Sequence, residues 1–224
     1  MAKELRFFII AGPNGAGKTT LGRALVPADV SIFNGDLVFE QLCKQYPDID
    51  PERLKGGVPV ALEKARDTAM SEGKDFAFET NFSSGLTMDL ANQFKEKGYD
   101  VNLIYLGLDN PTIAASRVKT RVSLGGHDIP LETIYFNFYE GIKGVKNNLS
   151  FFATNSFFNS TVRPALVASF DKNARALLVF DISISWFNQH FKQSLENLAV
   201  DIKIKQTRST KTEELPKRKR GRRL

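Results

Sequence analysis

The chain has 224 residues, 42% of them hydrophobic, which is enough for one sizeable α/β domain with a real core. A single cysteine, Cys43, excludes an intramolecular disulfide, and the apolar run Phe7–Ala11 is far too short for a signal peptide or a membrane span. The net charge of +6 is uneven: residues 203–224 carry ten Lys/Arg against two Glu, leaving −2 on the remainder, so a whole-domain nucleic-acid footprint is not supported.

These features predict a soluble, cytoplasmic protein with no membrane partner. Eighteen Phe against three Met predict a largely aromatic core. Residues 6–11 (RFFIIA) read as a buried strand, residues 12–17 as a glycine-rich loop, and residues 18–25 as a helix ended by Pro27. A second strand is expected at 30–33, a helix at 37–46, and a loop at 48–57. A helix at 60–72, a strand at 76–79, a helix at 86–97 and a strand at 101–108 follow. Next come a helix at 111–122, a loop at 125–130, and a long helix at 131–148 that Gly141 and Gly144 should weaken. Strands are expected at 157–160, 166–170 and 176–180, then a last helix at 185–198. From Asp201 charge dominates and disorder is expected.

Alternating strands and helices imply an α/β fold: a three-layer P-loop NTPase or kinase with a mostly parallel sheet, plus C-terminal strand additions and a disordered basic tail. Residues 1–200 form the expected kinase domain and residues 201–224 the tail. Ligands of such sheets bind at the carboxyl ends of the strands, where Gly12, Asp36, Glu79 and Asp109 should share one rim.

Gly12-Pro13-Asn14-Gly15-Ala16-Gly17-Lys18-Thr19, followed by Thr20, matches G-x-x-x-x-G-K-[ST] without a mismatch. A chance match in a chain this long is on the order of one in a hundred. The glycines let backbone N–H groups turn toward phosphate oxygens, and the helix that follows adds its positive end. Lys18 can then reach the β- and γ-phosphates of ATP or GTP, and the Thr19 hydroxyl is the expected Mg²⁺ ligand.

A kinase also needs an acceptor site and a base beside the acceptor hydroxyl. Asp36 and Glu79 are two strand-end carboxylates suited to that division of work, although Asp36 could instead cap the following helix. Arg117 and Arg121 are four apart and share a helix face before the loop that holds His127, which could touch substrate. Arginines placed there could stabilise charge on a transferring phosphoryl group; a solvated basic face is the plainer alternative. No metal-ligand spacing surrounds His127.

AGPNGAGKTT, FNGD, FAFET and SRVKTRVSLGGHDIPLETI occur in an order and spacing that resemble the zeta-toxin family of P-loop kinases, over roughly residues 5–185. The resemblance implies a cytosolic kinase that phosphorylates a nucleotide sugar such as UDP-N-acetylglucosamine, with an antitoxin protein as partner. It implies Asp36 as the base, Glu79 with Thr80 beside it as the sugar-nucleotide contacts, and Arg117 as a phosphate clamp, with Arg121 on the same helix. The chain departs from the pattern after Ile134. Many relatives carry arginines there, whereas this chain has Tyr135-Phe136-Asn137-Phe138.

The run Lys217–Arg223 has six basic residues in seven and could engage nucleic acid or an acidic partner. No aromatics interleave it, so base stacking is not expected. Two other readings stay open: a P-loop kinase with a different small-molecule acceptor, and a nucleotide-dependent binding module acting through the tail.

Overall fold

The computed structural model describes residues 4–126 and 128–200; His127 and the expected tail 201–224 lie outside the described residues. Strands β1 (Arg6–Ala11), β2 (Ser31–Asn34), β3 (Phe76–Thr80), β4 (Asp100–Gly107), β5 (Thr154–Asn159), β6 (Ala165–Asp171) and β7 (Ala176–Val179) form one sheet in the order β2-β3-β1-β4-β5-β6-β7. The pairings from β2 to β5 are parallel, and β6 and β7 are added antiparallel. Continuous apolar runs such as RFFIIA suit the parallel part, which is covered on both faces. From β1 the chain first builds β2 and β3 on one side, then β4 and β5 on the other. The loop after β1 therefore lies at the topological switch point.

The helices are α1 (Lys18–Leu25), α2 (Gly35–Gln45), α3 (Pro51–Leu54), α4 (Gly57–Ser71), α5 (Leu86–Glu96), α6 (Pro111–Ser123), α7 (Leu131–Asn148) and α8 (Ser185–Phe187). The last continues through a π-turn, Asn188–Lys192, into helical residues 193–200. No described helix is long and apolar enough to cross a membrane.

Register sets the core. Phe7 pairs with Phe76, and Tyr105 with Phe157, on one sheet face. On that face Phe94 of α5 stacks on Phe7 at 4.1 Å, while Trp186 and Phe191 pack on Tyr105 at 5.8 and 5.2 Å. The core is thus aromatic, as the composition implies. Alternation turns Ile10 to the opposite face, where α1 lies against it.

Several boundaries depart from expectation. The stretch read as a loop at 48–57 contains α3, started by Asp50, whose side chain accepts from Glu52 N at 3.0 Å, with Pro51 next. Helix α4 begins three residues before the expected Val60, because Pro59 needs no hydrogen-bond acceptor in a first turn. Strand β5 begins at Thr154, not Phe157, and pairs parallel to β4. Its polar Asn155 hid it; that residue is fully buried, its Nδ2 donating to Leu149 O at 3.2 Å.

Candidate functional site

The loop after β1 lies on α6. Gly15 sits at φ +74°, and a Cβ there would be 2.9 Å from Ala114 O, so glycine is required at this variable position of the motif by contact as well as by dihedral. Helix α1 starts at Lys18 with no side-chain cap, which leaves its first-turn N–H groups for a ligand. Lys18 Nζ donates to Gly12 O at 2.8 Å, Pro13 O at 3.0 Å and Asn81 Oδ1 at 2.8 Å. Burial pulls its pKa down to about 8; Glu79 and Asp36 oppose the fall and Arg121 adds to it. Asn14, at the loop's turn, is buried and accepts from Asn137 Nδ2 at 2.9 Å. Asn137 Oδ1 in turn accepts from Ser83 Oγ at 2.7 Å. The residue that departs from the arginine pattern therefore contacts the phosphate loop through a neutral amide.

The carboxylates come from the neighbouring strands. Asn34 ends β2, and its Oδ1 accepts from Asp36 N at 2.9 Å and Leu37 N at 3.2 Å. The capping role considered for Asp36 thus belongs to Asn34, and the Asp36 side chain is exposed at the groove. Glu79 pairs with Ile10, so it points to the α1 face. There Thr19 Oγ1 donates to Glu79 Oε1 at 2.8 Å, and Asn34 Nδ2 donates to Thr19 Oγ1 at 3.2 Å. Burial raises the Glu79 carboxyl above its ordinary range, opposed by Lys18 and by the hydrogen bonds from Thr19 and Asn34. Thr80 falls on the other face, its hydroxyl 3.1 Å from that of Thr87 and accepting from Phe82 N at 3.0 Å.

Two clefts meet among these groups. A phosphate-side groove of about 220 Å³ is lined by Asn14, Gly15, Gly17, Lys18, Thr19, Thr20, Asp36, Glu79, Arg117 and Arg121. A second cleft of about 210 Å³ shares Lys18, Asp36 and Glu79, adds Thr80 and Asn81, and is walled by Phe33, Val58, Pro59, Leu62, Phe78 and Leu86. Pro13 and Ala16, within the loop, are buried.

The arginines divide. Arg117 donates to Gly15 O at 3.2 Å and to Ser160 O and Thr161 O, both at 2.8 Å. It braces the phosphate loop against the segment after β5. Arg121 is exposed at the groove and also lines a cavity of about 500 Å³ with Leu37, Phe39 and Cys43. Asp109, expected on the rim, is exposed and lines neither cleft. Among the described residues no group of three or more His, Cys, Asp or Glu could hold a metal ion by itself. Sequence reasoning missed Asn81 and Ser83; the only signal was polar residues directly after the Glu79-Thr80 strand end.

Comparison places this geometry. An uncharacterized protein of Haemophilus influenzae is 28% identical over 130 residues, covering 57% of this chain and 88% of that protein. The structure from the PezAT chromosomal toxin-antitoxin system of Streptococcus pneumoniae superposes with a TM-score of 0.62 at 16% identity, over 88% of each chain. An AvrRxo1-ORF1:ORF2 structure with ATP superposes with a TM-score of 0.59 at 16% identity, over 84% of this chain and 63% of that one. These likenesses share the P-loop kinase fold. A family model, zeta toxin, matches residues 39–161, more than half of the chain, beginning just beyond Asp36. The chain belongs to the zeta-toxin family of P-loop kinases.

Proposed function

We propose that the protein transfers the γ-phosphate of ATP or GTP, with Mg²⁺, to a hydroxyl of a small molecule held beside Asp36. The observation that carries this reading is the meeting of the two clefts at Lys18, Asp36 and Glu79. A switch needs only the phosphate-side groove; a transferase needs both. The acceptor hydroxyl gives its proton to the Asp36 carboxylate while its oxygen forms the new bond to phosphorus and the nucleoside diphosphate leaves. Lys18 and the loop N–H groups stabilise the developing charge, and Arg117 holds the loop in place for it.

The oxygen donors present suit Mg²⁺. The Thr19 hydroxyl and Glu79 carboxylate are 2.8 Å apart on the phosphate rim, with Asp36 beside them, and Mg²⁺ characteristically takes one or two such groups together with phosphates and waters. When bound, the ion neutralises charge on the β- and γ-oxygens.

The acceptor we propose first is a nucleotide sugar such as UDP-N-acetylglucosamine, with Glu79, Thr80 and His127 as contacts and the cytosol as the place of action. The family resemblance supports this. An antitoxin partner is proposed on the toxin-antitoxin system to which the pneumococcal neighbour belongs. Engagement of nucleic acid or an acidic protein by residues 217–223 rests on their charge alone. Incubation with ATP, Mg²⁺ and a panel of nucleotide sugars should yield a product heavier by one phosphoryl group. An active relative that phosphorylates a sugar in parallel, while this protein phosphorylates none, removes the acceptor claim and sends the search to an untargeted metabolite extract.

A further inference from the structure

An ammonium has three protons, and those of Lys18 meet Gly12 O, Pro13 O and Asn81 Oδ1. The first two acceptors belong to the phosphate loop itself. Asn81 comes from the segment after β3 and also lines the second cleft with Asp36 and Glu79. Its backbone is held from both sides. The next residue, Phe82, stands at φ 61°, a conformation that a phenylalanine keeps only where its surroundings enforce it. Phe82 is 2% exposed, and its N–H donates to Thr80 Oγ1 at 3.0 Å. Helix α7 closes the other side. A Cβ on Gly141 would lie 2.4 Å from Asn81 O, and one on Gly144 would lie 2.6 Å from Phe82 O. One turn earlier on the same helix, Asn137 bonds both Asn14 and Ser83. The position of Lys18 Nζ is therefore referred, through Asn81, to a fixed helix rather than to the loop alone.

We propose that Asn81 is a positioning residue for phosphoryl transfer: its carboxamide oxygen sets the Lys18 ammonium on the acceptor side of the phosphate loop, between the donor phosphates and the hydroxyl held by Asp36. The proposal rests on the kinase reading above. A cation fixed there stabilises the charge that develops on transfer more than the charge already present in bound nucleotide. Without Asn81, Lys18 keeps two carbonyl acceptors, and the loop keeps its backbone donors. Nucleotide binding is retained while the aligned cation is lost. A neutral amide also competes only weakly with phosphate for the ammonium. A carboxylate of the same shape holds the ammonium in place but competes strongly.

The test is steady-state kinetics in ATP on the full chain with Mg²⁺, with UDP-N-acetylglucosamine as acceptor in one arm and water in the other, alongside thermal unfolding. Asn81→Ala should lower kcat by about 10- to 100-fold and leave KM for ATP within about threefold. Asn81→Asp should do the reverse, raising KM by about 10-fold while kcat stays within about fivefold of the parent. Asn81→Ala keeping more than about half of kcat overturns the proposal. So does a pattern in which both variants lose kcat and KM together in step with Tm, which is what a merely structural asparagine gives. If the alanine variant does not fold, the isosteric aspartate variant decides alone by the same split. Absence of turnover by the parent in both arms, and again with an untargeted metabolite extract as the source of acceptor, is a different failure; it overturns the kinase reading itself, and the proposal with it.

Discussion

Asp36 occupies the second position of α2, directly behind the Asn34 cap, and its side chain faces the groove shared by both clefts. The division of labour between the two residues makes a sharp prediction. Asp36→Asn keeps the shape and removes the proposed base, so kcat should fall by about 10²- to 10⁴-fold. Binding of ATP, followed by calorimetry, should change little, because the loop, Lys18 and Thr19 are untouched. Stability should shift by less than about 1 kcal/mol, the worth of one acidic residue in a helix first turn. Full turnover by Asp36→Asn removes the base assignment. The sequence shows the carboxylate but hides the cap: Gly35 is a poor helix former, so Asn34-Gly35-Asp36 reads as a turn ahead of a helix that in fact begins at Gly35. Similarly, Lys18, Thr19 and Glu79 are legible as chemistry, while their hydrogen bonds to Asn81 and to each other join residues some 60 positions apart, which no local pattern encodes.

At the scale of elements, periodicity and punctuation reveal every strand and all the long helices among the described residues, because buried parallel strands and amphipathic helices leave different spacings in the chain. What periodicity cannot reveal is the object packed opposite a small residue. Gly141 and Gly144 look like flaws in α7, since each costs about 1 kcal/mol of helix propensity relative to alanine. The structure gives them a use as the two points where the 81–82 backbone touches the helix. The two views predict opposite signs for Gly141→Ala. Propensity alone stabilises by about 1 kcal/mol. Overpacking against Asn81 O, at a spacing of 2.4 Å that a real Cβ does not tolerate, costs about 1–3 kcal/mol. The contact is with backbone, which cannot swing aside as a flexible side chain does, so the second term should win. Tm should fall, and turnover should fall with it because Asn81 is displaced from Lys18. A rise in Tm means that α7 and the 81–82 segment do not meet so closely. The π-turn at Asn188–Lys192 is a further case of hidden context: one continuous helix is expected over 185–198, yet the wider turn lets Trp186, Phe187, Phe191 and Leu195 all be buried.

For the whole molecule, stability and chemistry are built in different places. The phosphate loop, Asp36 and Glu79 stand at the carboxyl ends of β1, β2 and β3. A large part of the aromatic core lies on the other flank of the sheet, where Tyr105 and Phe157 of β4 and β5 meet Trp186, Phe187 and Phe191 of the C-terminal helix. Phe191 is fully buried and its ring lies 4.9 Å from that of Phe157. Phe191→Ala should cost about 3–5 kcal/mol, combining lost transfer energy with the cavity left behind. Against a total of about 5–15 kcal/mol for a typical domain, that is a large share. In urea the midpoint should drop while the slope stays that of the parent, because the same surface is exposed on unfolding. Turnover per folded molecule, measured well below the new midpoint, should match the parent, since Phe191 touches neither cleft. A lower slope means that the C-terminal helix has detached on its own, making the antiparallel edge and its helix a separate cooperative unit. An unchanged slope with a lower midpoint means that the aromatic flank and the flank that carries the phosphate loop unfold as one body. The register supports the second outcome, because β4 is shared: it pairs with β1, which carries the phosphate loop, on one side and with β5 on the other.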